Sequence, residues 1–146
     1  MLLGAMVASI PKQHQVVYVS GSPYYYSNGV YYVQSGSQYQ VVPAPTGAVV
    51  DEPPAQTTNV YVGGETYGYA NGTYYEQKKP EKPDEKPKYE VVKPPIGATV
   101  KSLPKDAKKE TVGGDDYFVY DDAWYRGFHS GSDVVYMVVD DPKKKA

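Results

Sequence analysis

Short runs of tyrosine and valine alternate along this chain with pairs of small, turn-forming residues. One such stretch is Val19-Ser-Gly-Ser-Pro-Tyr24-Tyr-Tyr-Ser-Asn-Gly29-Val-Tyr31-Tyr32. Glycine and asparagine adopt positive φ more readily than other residues, so Ser-Gly and Asn-Gly pairs between apolar runs are typical of two-residue hairpin turns. The runs between the turns therefore predict short antiparallel strands at residues 16–19, 24–26, 30–33 and 39–42.

The same pattern returns at residues 62–75 and 112–125, so the chain contains three copies of one repeat. Each copy opens with Gly-Ala-x-Val, reaches a proline seven residues later and closes with Tyr-x-Val-Val. Internal repetition of this kind is the sequence signature of a repeat architecture. It predicts β repeats at residues 4–42, 47–92 and 97–139. Residues 78–88 form a lysine- and proline-rich insertion that we expect to be solvated, and residues 140–146 are expected to be a disordered basic tail.

The predicted fold class is all-β, with three short antiparallel meanders in tandem. A sheet of this size buries little apolar surface by itself. The copies should therefore either stack as sheets on one another or close individually into SH3-like small barrels. The Gly-Ala-x-Val segment is interpreted as a strand or turn that crosses the meander.

Composition narrows the classes of function. The net charge is −2 over 146 residues, which argues against a nucleic-acid binder because phosphate binding needs a basic surplus. The chain has no cysteine, so disulfides and thiolate chemistry are excluded. No apolar run reaches the ~18 residues of a membrane helix, so no transmembrane segment is predicted. Residues 4–11 match residues 97–104 at the start of copy three, so we interpret the apolar stretch at residues 1–10 as leading into a repeat rather than as a targeting segment.

Residues with catalytic or metal-binding chemistry are scattered. His14 and His129 occupy non-equivalent points of their copies and are interpreted as loop histidines. Copy three is rich in aspartate, at positions 115, 116, 121, 122, 133, 140 and 141. Their spacing does not match a calcium loop, although a calcium site remains an alternative. We therefore predict no catalytic residue, no metal and no cofactor.

Tyrosine is the residue type best suited to recognition here, with 17 in the chain. Tyrosines that recur in every copy are explained by the scaffold, so a ligand site should lie where one copy departs from the others. Copy three departs from the others at a short aromatic and basic patch. The predicted ligand-binding candidates are Trp124, Tyr125, Arg126 and Phe128.

The motifs Gly-Ala-x-Val-x-x-Leu-Pro, Val-x-Val-Gly-Gly, Tyr-Tyr-x-Asn-Gly-x-Tyr-Tyr and Tyr-x-Val-Val-x-Pro-Pro resemble those of a bacterial family of tyrosine- and glycine-rich repeat proteins. That family is catalogued only as a domain of unknown function and often stands behind a secretion signal. The resemblance covers residues 4–142 and is best in copy two. It implies an envelope or extracytoplasmic setting and provides no catalytic residues.

The sequence thus favours a non-enzymatic β-repeat protein with a structural or interaction role at the bacterial cell envelope. Its partner would be a cell-wall polysaccharide or an envelope protein. The first alternative is a glycan- or peptidoglycan-binding module that uses surface aromatics. A second alternative is an enzyme whose site is assembled between copies from aspartate and histidine residues.

Overall fold

The computed structural model describes residues 2–144, and within that range the chain is all-β, without a helix. The described residues accordingly hold no helix of the length and hydrophobicity that crossing a membrane requires. The strands are β1 (Met6–Val7), β2 (Gln15–Val19), β3 (Ser22–Ser27), β4 (Val30–Ser35), β5 (Gln38–Val42), β6 (Val49–Val50), β7 (Thr58–Val62), β8 (Glu65–Ala70), β9 (Thr73–Lys78), β10 (Lys88–Val92), β11 (Thr99–Val100), β12 (Lys108–Val112), β13 (Asp115–Tyr120), β14 (Ala123–Ser130) and β15 (Asp133–Val139). They form three antiparallel five-stranded sheets in tandem, which confirms the predicted class.

Two-residue turns connect the strands of each meander. Asn28 and Gly29 have φ of 41° and 93°. Positive φ at both central residues is the mark of the type I′ turn, whose twist matches that of the flanking strands. The φ angles are also positive at both residues of the pairs 20–21, 63–64, 71–72, 113–114 and 121–122. The turn chemistry therefore sets the register, which pairs Ser27 with Val30 in sheet 1.

The strand order in sheet 1 is β1-β5-β4-β3-β2, and sheets 2 and 3 repeat it. The Gly-Ala-x-Val segment forms the short first strand, which pairs with the last strand of its own repeat, Met6 opposite Gln40. One backbone hydrogen bond marks the start of every repeat: Gly4 N–H donates to Val41 O at 2.7 Å, Gly47 N–H to Val91 O at 2.8 Å and Gly97 N–H to Val138 O at 2.9 Å. The residues after the short strand cross to the opposite edge of the sheet, where the second strand begins.

The SH3-like barrel alternative is wrong, because none of the three sheets closes on itself. β1 and β2 lie at opposite edges of sheet 1, and the other sheets are arranged in the same way. Each sheet instead covers at least one apolar face with a neighbouring repeat. Closure into a barrel would have hidden those faces from the next sheet.

The repeats stack face to face through two cores. Between repeats 1 and 2 the buried residues are Val17, Tyr26, Tyr31, Ala48, Val50, Tyr75 and Val91. Between repeats 2 and 3 they are Val60, Tyr69, Tyr74, Ala98, Val100, Ala123, Tyr125 and Val138. Neighbouring residues of a strand point to opposite faces. The first residue of the Tyr74-Tyr75 pair therefore faces the following repeat, and the second faces the preceding one.

Tyrosine hydroxyl groups join the repeats inside these cores. The hydroxyl oxygens of Tyr31 and Tyr75 are 2.9 Å apart, and those of Tyr74 and Tyr125 are 3.0 Å apart. All four side chains are at most 1% exposed. A buried hydroxyl without a partner costs about 1–3 kcal/mol. These pairs therefore satisfy groups that each repeat alone would leave unpaired.

A second kind of contact between neighbouring repeats joins a turn of one repeat to a proline of the next. Gly29 lies against Pro54, and Gly72 lies against Pro104 of the following repeat. Repeat 3 carries Asp122 at the position equivalent to Gly72, and this side chain is exposed. In the described part of the chain, residues 140–144 rather than another sheet follow repeat 3, so this turn does not need the close approach that glycine allows.

A hydrogen bond joins the start of repeat 1 to repeat 3. The backbone N–H of Leu3 donates to Asp106 Oδ2 at 3.2 Å. Packed sheets lie about 10 Å apart, so a straight row would separate repeats 1 and 3 by about 20 Å. This contact therefore brings the start of repeat 1 to the side of repeat 3.

Candidate functional site

A cavity of ≈ 740 Å³ lies where the segments that leave the three sheets come together. Its aromatic lining residues are Tyr24, Tyr74 and Trp124, one from each repeat. Its charged lining residues are Lys93, Asp121, Asp122, Asp140, Asp141 and Lys144. The volume falls in the range of small-molecule sites, about 300–1,000 Å³. Tyr74 and Trp124 are buried, and Tyr24 is half-buried. Carboxylates that accept hydrogen bonds beside the Tyr24 ring suit a hydroxyl-rich ligand such as a sugar.

The carboxylates of the cavity come from turns and linkers rather than from a converging cluster. Asp121 sits in the two-residue turn between β13 and β14, with φ of 47°. Burial, reinforced by the neighbouring Asp122 carboxylate, raises the pKa of Asp121. A ligand group that donates a hydrogen bond would stabilise its ionised form.

Trp124 lies on the face of sheet 3 that is turned away from repeat 2, which we call the terminal face. Its ring meets the Tyr117 ring edge-on at 5.7 Å, and it is 7% exposed. Lys143 Nζ lies 5.5 Å from the Trp124 ring centroid and 3.0 Å from Glu110 Oε1. Lys143 thus covers the Trp124 ring on this face.

The four predicted ligand residues are divided between two faces of β14. Trp124, Arg126 and Phe128 follow each other at every second position and share the terminal face. Arg126 lies over the Tyr117 ring at 5.2 Å, and Phe128 is 45% exposed. Tyr125 points the other way into the core against repeat 2 and is 0% exposed. A ligand at this surface would therefore meet the first three residues and not Tyr125.

The histidines are not brought together. His14 Nδ1 donates to the carbonyl oxygen of Pro11 at 2.6 Å, and its ring lies against Tyr25 at 5.8 Å. His129, predicted to lie in a loop, belongs instead to β14, opposite Val134. The reason is that the last hairpin is longer than its counterparts. Across residues 2–144, no three histidine, aspartate or glutamate side chains are grouped as metal ligands.

The insertion and the tail occupy the surface. Residues 81–86 of the insertion are exposed, and Lys88, at its end, forms an ion pair with Asp51 at 2.7 Å. Of the predicted basic tail, residues 145 and 146 lie outside the described residues. The disorder expected for residues 140–146 stays a prediction.

Sequence reasoning missed two exposed tyrosines at equivalent positions of repeats 1 and 2. Tyr18 is 69% exposed and Tyr61 is 71% exposed. Each stands between two valines that point into a core, as Val17 and Val19 do around Tyr18. Strand alternation places the middle residue of Val-Tyr-Val on the opposite face. The motif therefore contained the signal, although a ligand site was predicted from sequence only in copy three.

Comparison with known proteins gives one relationship. Neither the curated proteins nor the solved structures provide a match to this chain. A family model described as a family of unknown function, DUF6515, matches residues 2–141, nearly the whole chain. The protein therefore belongs to the DUF6515 family.

Proposed function

We propose that this chain is a non-enzymatic β-repeat protein with a structural or interaction role at the bacterial cell envelope. The observation that carries the proposal is the division of its tyrosines into two sets. One set is buried between repeats, whereas Tyr18 and Tyr61 stand about 70% exposed on the outer strands of sheets 1 and 2. Tyrosine is enriched in recognition surfaces because its ring offers contact area and its hydroxyl a hydrogen bond. The envelope setting is supported by the resemblance of the repeat motifs to secreted repeat proteins.

The test is co-sedimentation of purified protein with cell-wall sacculi and with envelope membranes. We expect the wild-type chain to sediment with an envelope fraction. Replacing both exposed tyrosines, by Tyr18→Ser and Tyr61→Ser, should lower the bound fraction about tenfold, the scale of one or two aromatic contacts. Val134→Ser, which removes an exposed apolar side chain from a different repeat, is the control and should leave binding unchanged. Failure to bind any envelope fraction would count against the proposal, as would a hydrolase or transferase activity that a single substitution abolishes.

The second candidate is a glycan-binding module that uses the cavity between the repeats. The observation in its favour is Trp124, which lines a cavity that also presents four aspartates. Trp124 is the only tryptophan in the chain, so its fluorescence reports on this site alone. Soluble cell-wall glycan fragments should shift the emission and should cease to bind after Trp124→Ala. An emission spectrum that is unmoved by fragments that nevertheless bind would place the ligand elsewhere.

A further inference from the structure

The edges of the three sheets are protected unequally. An exposed edge strand offers unpaired backbone groups to any other strand, and proteins blunt such edges with short strands or charges. Three edges are strands of only two residues, β1, β6 and β11. A fourth, β12, carries Lys108, Lys109 and Glu110. The two that remain, β2 and β7, are five residues long and uncharged.

The free edge of β2 presents the backbone of Val16 and Tyr18. The two-residue turn makes Val19 and Ser22 a hydrogen-bonded pair, and such pairs then alternate along the hairpin. Tyr18, opposite Pro23, is thus in a non-hydrogen-bonded pair, in keeping with the missing N–H of proline. The N–H and C=O groups of Val16 and Tyr18 therefore point outward. Among residues 2–144, no other strand or loop pairs with them.

The side chains at this edge are open as well. Val16 is 43% exposed and Tyr18 is 69% exposed, and both project from the same face of β2. A regular row of outward donors and acceptors is best satisfied by another extended strand. An aromatic ring beside a β-branched side chain is among the favourable cross-strand pairs. The edge thus fits an extended strand that has an apolar side chain at every second position.

We infer that the occupant is β2 of a second copy of this chain, paired antiparallel about a two-fold axis at Val17. In that register Val16 lies opposite Tyr18 of the second copy, and Tyr18 lies opposite its Val16. Four backbone hydrogen bonds form, and both exposed tyrosines gain a valine neighbour. A two-fold contact of this kind closes after two copies.

The sequence of β2 is itself the argument for a second copy. The two outward residues of the strand are complementary to each other, so the strand supplies its own partner without a charge to bury. The corresponding pairing of β7 would set Asn59 against Tyr61, which gives a weaker apolar contact. β2 is therefore the strand that pairs. A second copy would be one partner in the interaction role proposed above. The inference depends on the proposed function in that respect alone.

The contact is small, so association should be weak and concentration-dependent. Sedimentation equilibrium over a range up to about 1 mM should show a monomer–dimer equilibrium. Tyr18→Lys should weaken the association at least tenfold, because it replaces the ring by a cation opposite Val16 of the other copy at both ends of the new strand pair. Tyr61→Lys, at the equivalent exposed position of repeat 2, is the matched control and should leave it unchanged. A wild-type chain that stays monomeric throughout would overturn the inference.

The register has its own test, because the chain contains no cysteine. Directly opposed, hydrogen-bonded residues have Cα atoms about 5.5 Å apart, within disulfide reach, whereas residues two positions out of register do not. A mixture of Val16→Cys and Tyr18→Cys chains should therefore oxidise to a covalent dimer, and Tyr18→Cys alone should give little. A yield no higher than that of an Asn59→Cys and Tyr61→Cys mixture would refute the register. A monomeric chain that still sediments with envelope fractions would refute this inference and leave the proposed function standing.

Discussion

The protein is expected to unfold as the pH rises above 10, and unfolding should be complete before pH 12. The cause is the set of neutral tyrosine hydroxyls that the fold buries. Burial raises the pKa of five core tyrosines, Tyr26, Tyr31, Tyr69, Tyr74 and Tyr75, well above the ordinary value of 10.0. For Tyr75 the neighbouring Tyr31 hydroxyl raises the pKa further. Burial also raises the pKa of Tyr120, to about 12. The folded chain therefore keeps protons that the unfolded chain releases near pH 10.

The direction of the effect follows from this difference in bound protons. Below pH 10 both states keep the tyrosine protons, and these groups do not make stability depend on pH. Above pH 10 each such tyrosine lowers the free energy of unfolding by about 1.4 kcal/mol per pH unit. Five of them remove about 7 kcal/mol by pH 11, which is comparable with the whole stability of a small domain, about 5–15 kcal/mol.

Circular dichroism and tyrosinate absorbance followed together against pH would check this prediction. Part of the absorbance change should appear in the same steep step as the loss of β signal. The exposed-site variant Tyr18→Phe is the control and should leave the position of that step unchanged. A smooth absorbance rise around pH 10 with the β signal intact to pH 12 would contradict the burial of these hydroxyls.

The second large effect is expected at Gly72. A Cβ at this position would lie 2.7 Å from Pro104 Cγ and the same distance from Tyr120 Cδ2, at a φ of +94°. Positive φ alone costs an L-residue about 1–2 kcal/mol, and forced overpacking adds about 1–3 kcal/mol. We expect Gly72→Ala to lower the free energy of unfolding by about 3 kcal/mol.

Gly64 provides the matched control within the same repeat. Its φ is +82°, and a Cβ there would meet nothing within 4 Å. Gly64→Ala should therefore cost about 1 kcal/mol, from backbone strain alone. Urea unfolding of the two variants measures the difference. Equal costs at the two glycines would show that the turn of repeat 2 does not seat against the proline of repeat 3.

The meanders were predictable from sequence because each turn is encoded locally. Asn28-Gly29 and Asn71-Gly72 specify positive φ, and the tyrosine and valine runs between turns specify strands. The choice between barrel and stack was not predictable in this way. It depends on which repeat covers each face, and that is a contact between residues more than 40 positions apart, such as Tyr31 with Tyr75.

The departures of copy three illustrate the same limit. From sequence, Trp124 was a ligand candidate because it breaks the pattern of the other copies, as Asp122 also does. In the structure Tyr31 and Tyr74, which are equivalent to Trp124, pack into the cores against a following repeat. Trp124 packs instead against Tyr117 of its own repeat and Lys143 of the segment after it, and Asp122 is exposed. The position of the repeat in the row therefore provides a structural reason for both substitutions, and the cavity itself, built from three separate linkers, left no local signal.

The central claim is that the recurring tyrosines join one repeat to the next through paired, buried hydroxyls. A double-mutant cycle on Tyr74 and Tyr125, whose hydroxyl oxygens are 3.0 Å apart, tests it most directly. Tyr74→Phe and Tyr125→Phe should each lower the free energy of unfolding by about 1–2 kcal/mol, because each leaves the other hydroxyl buried without its partner. The double variant should cost no more than either single variant, a coupling of about 1 kcal/mol or more. Costs that simply add would contradict the claim, because they would mean that the two hydroxyls act independently across the boundary between repeats.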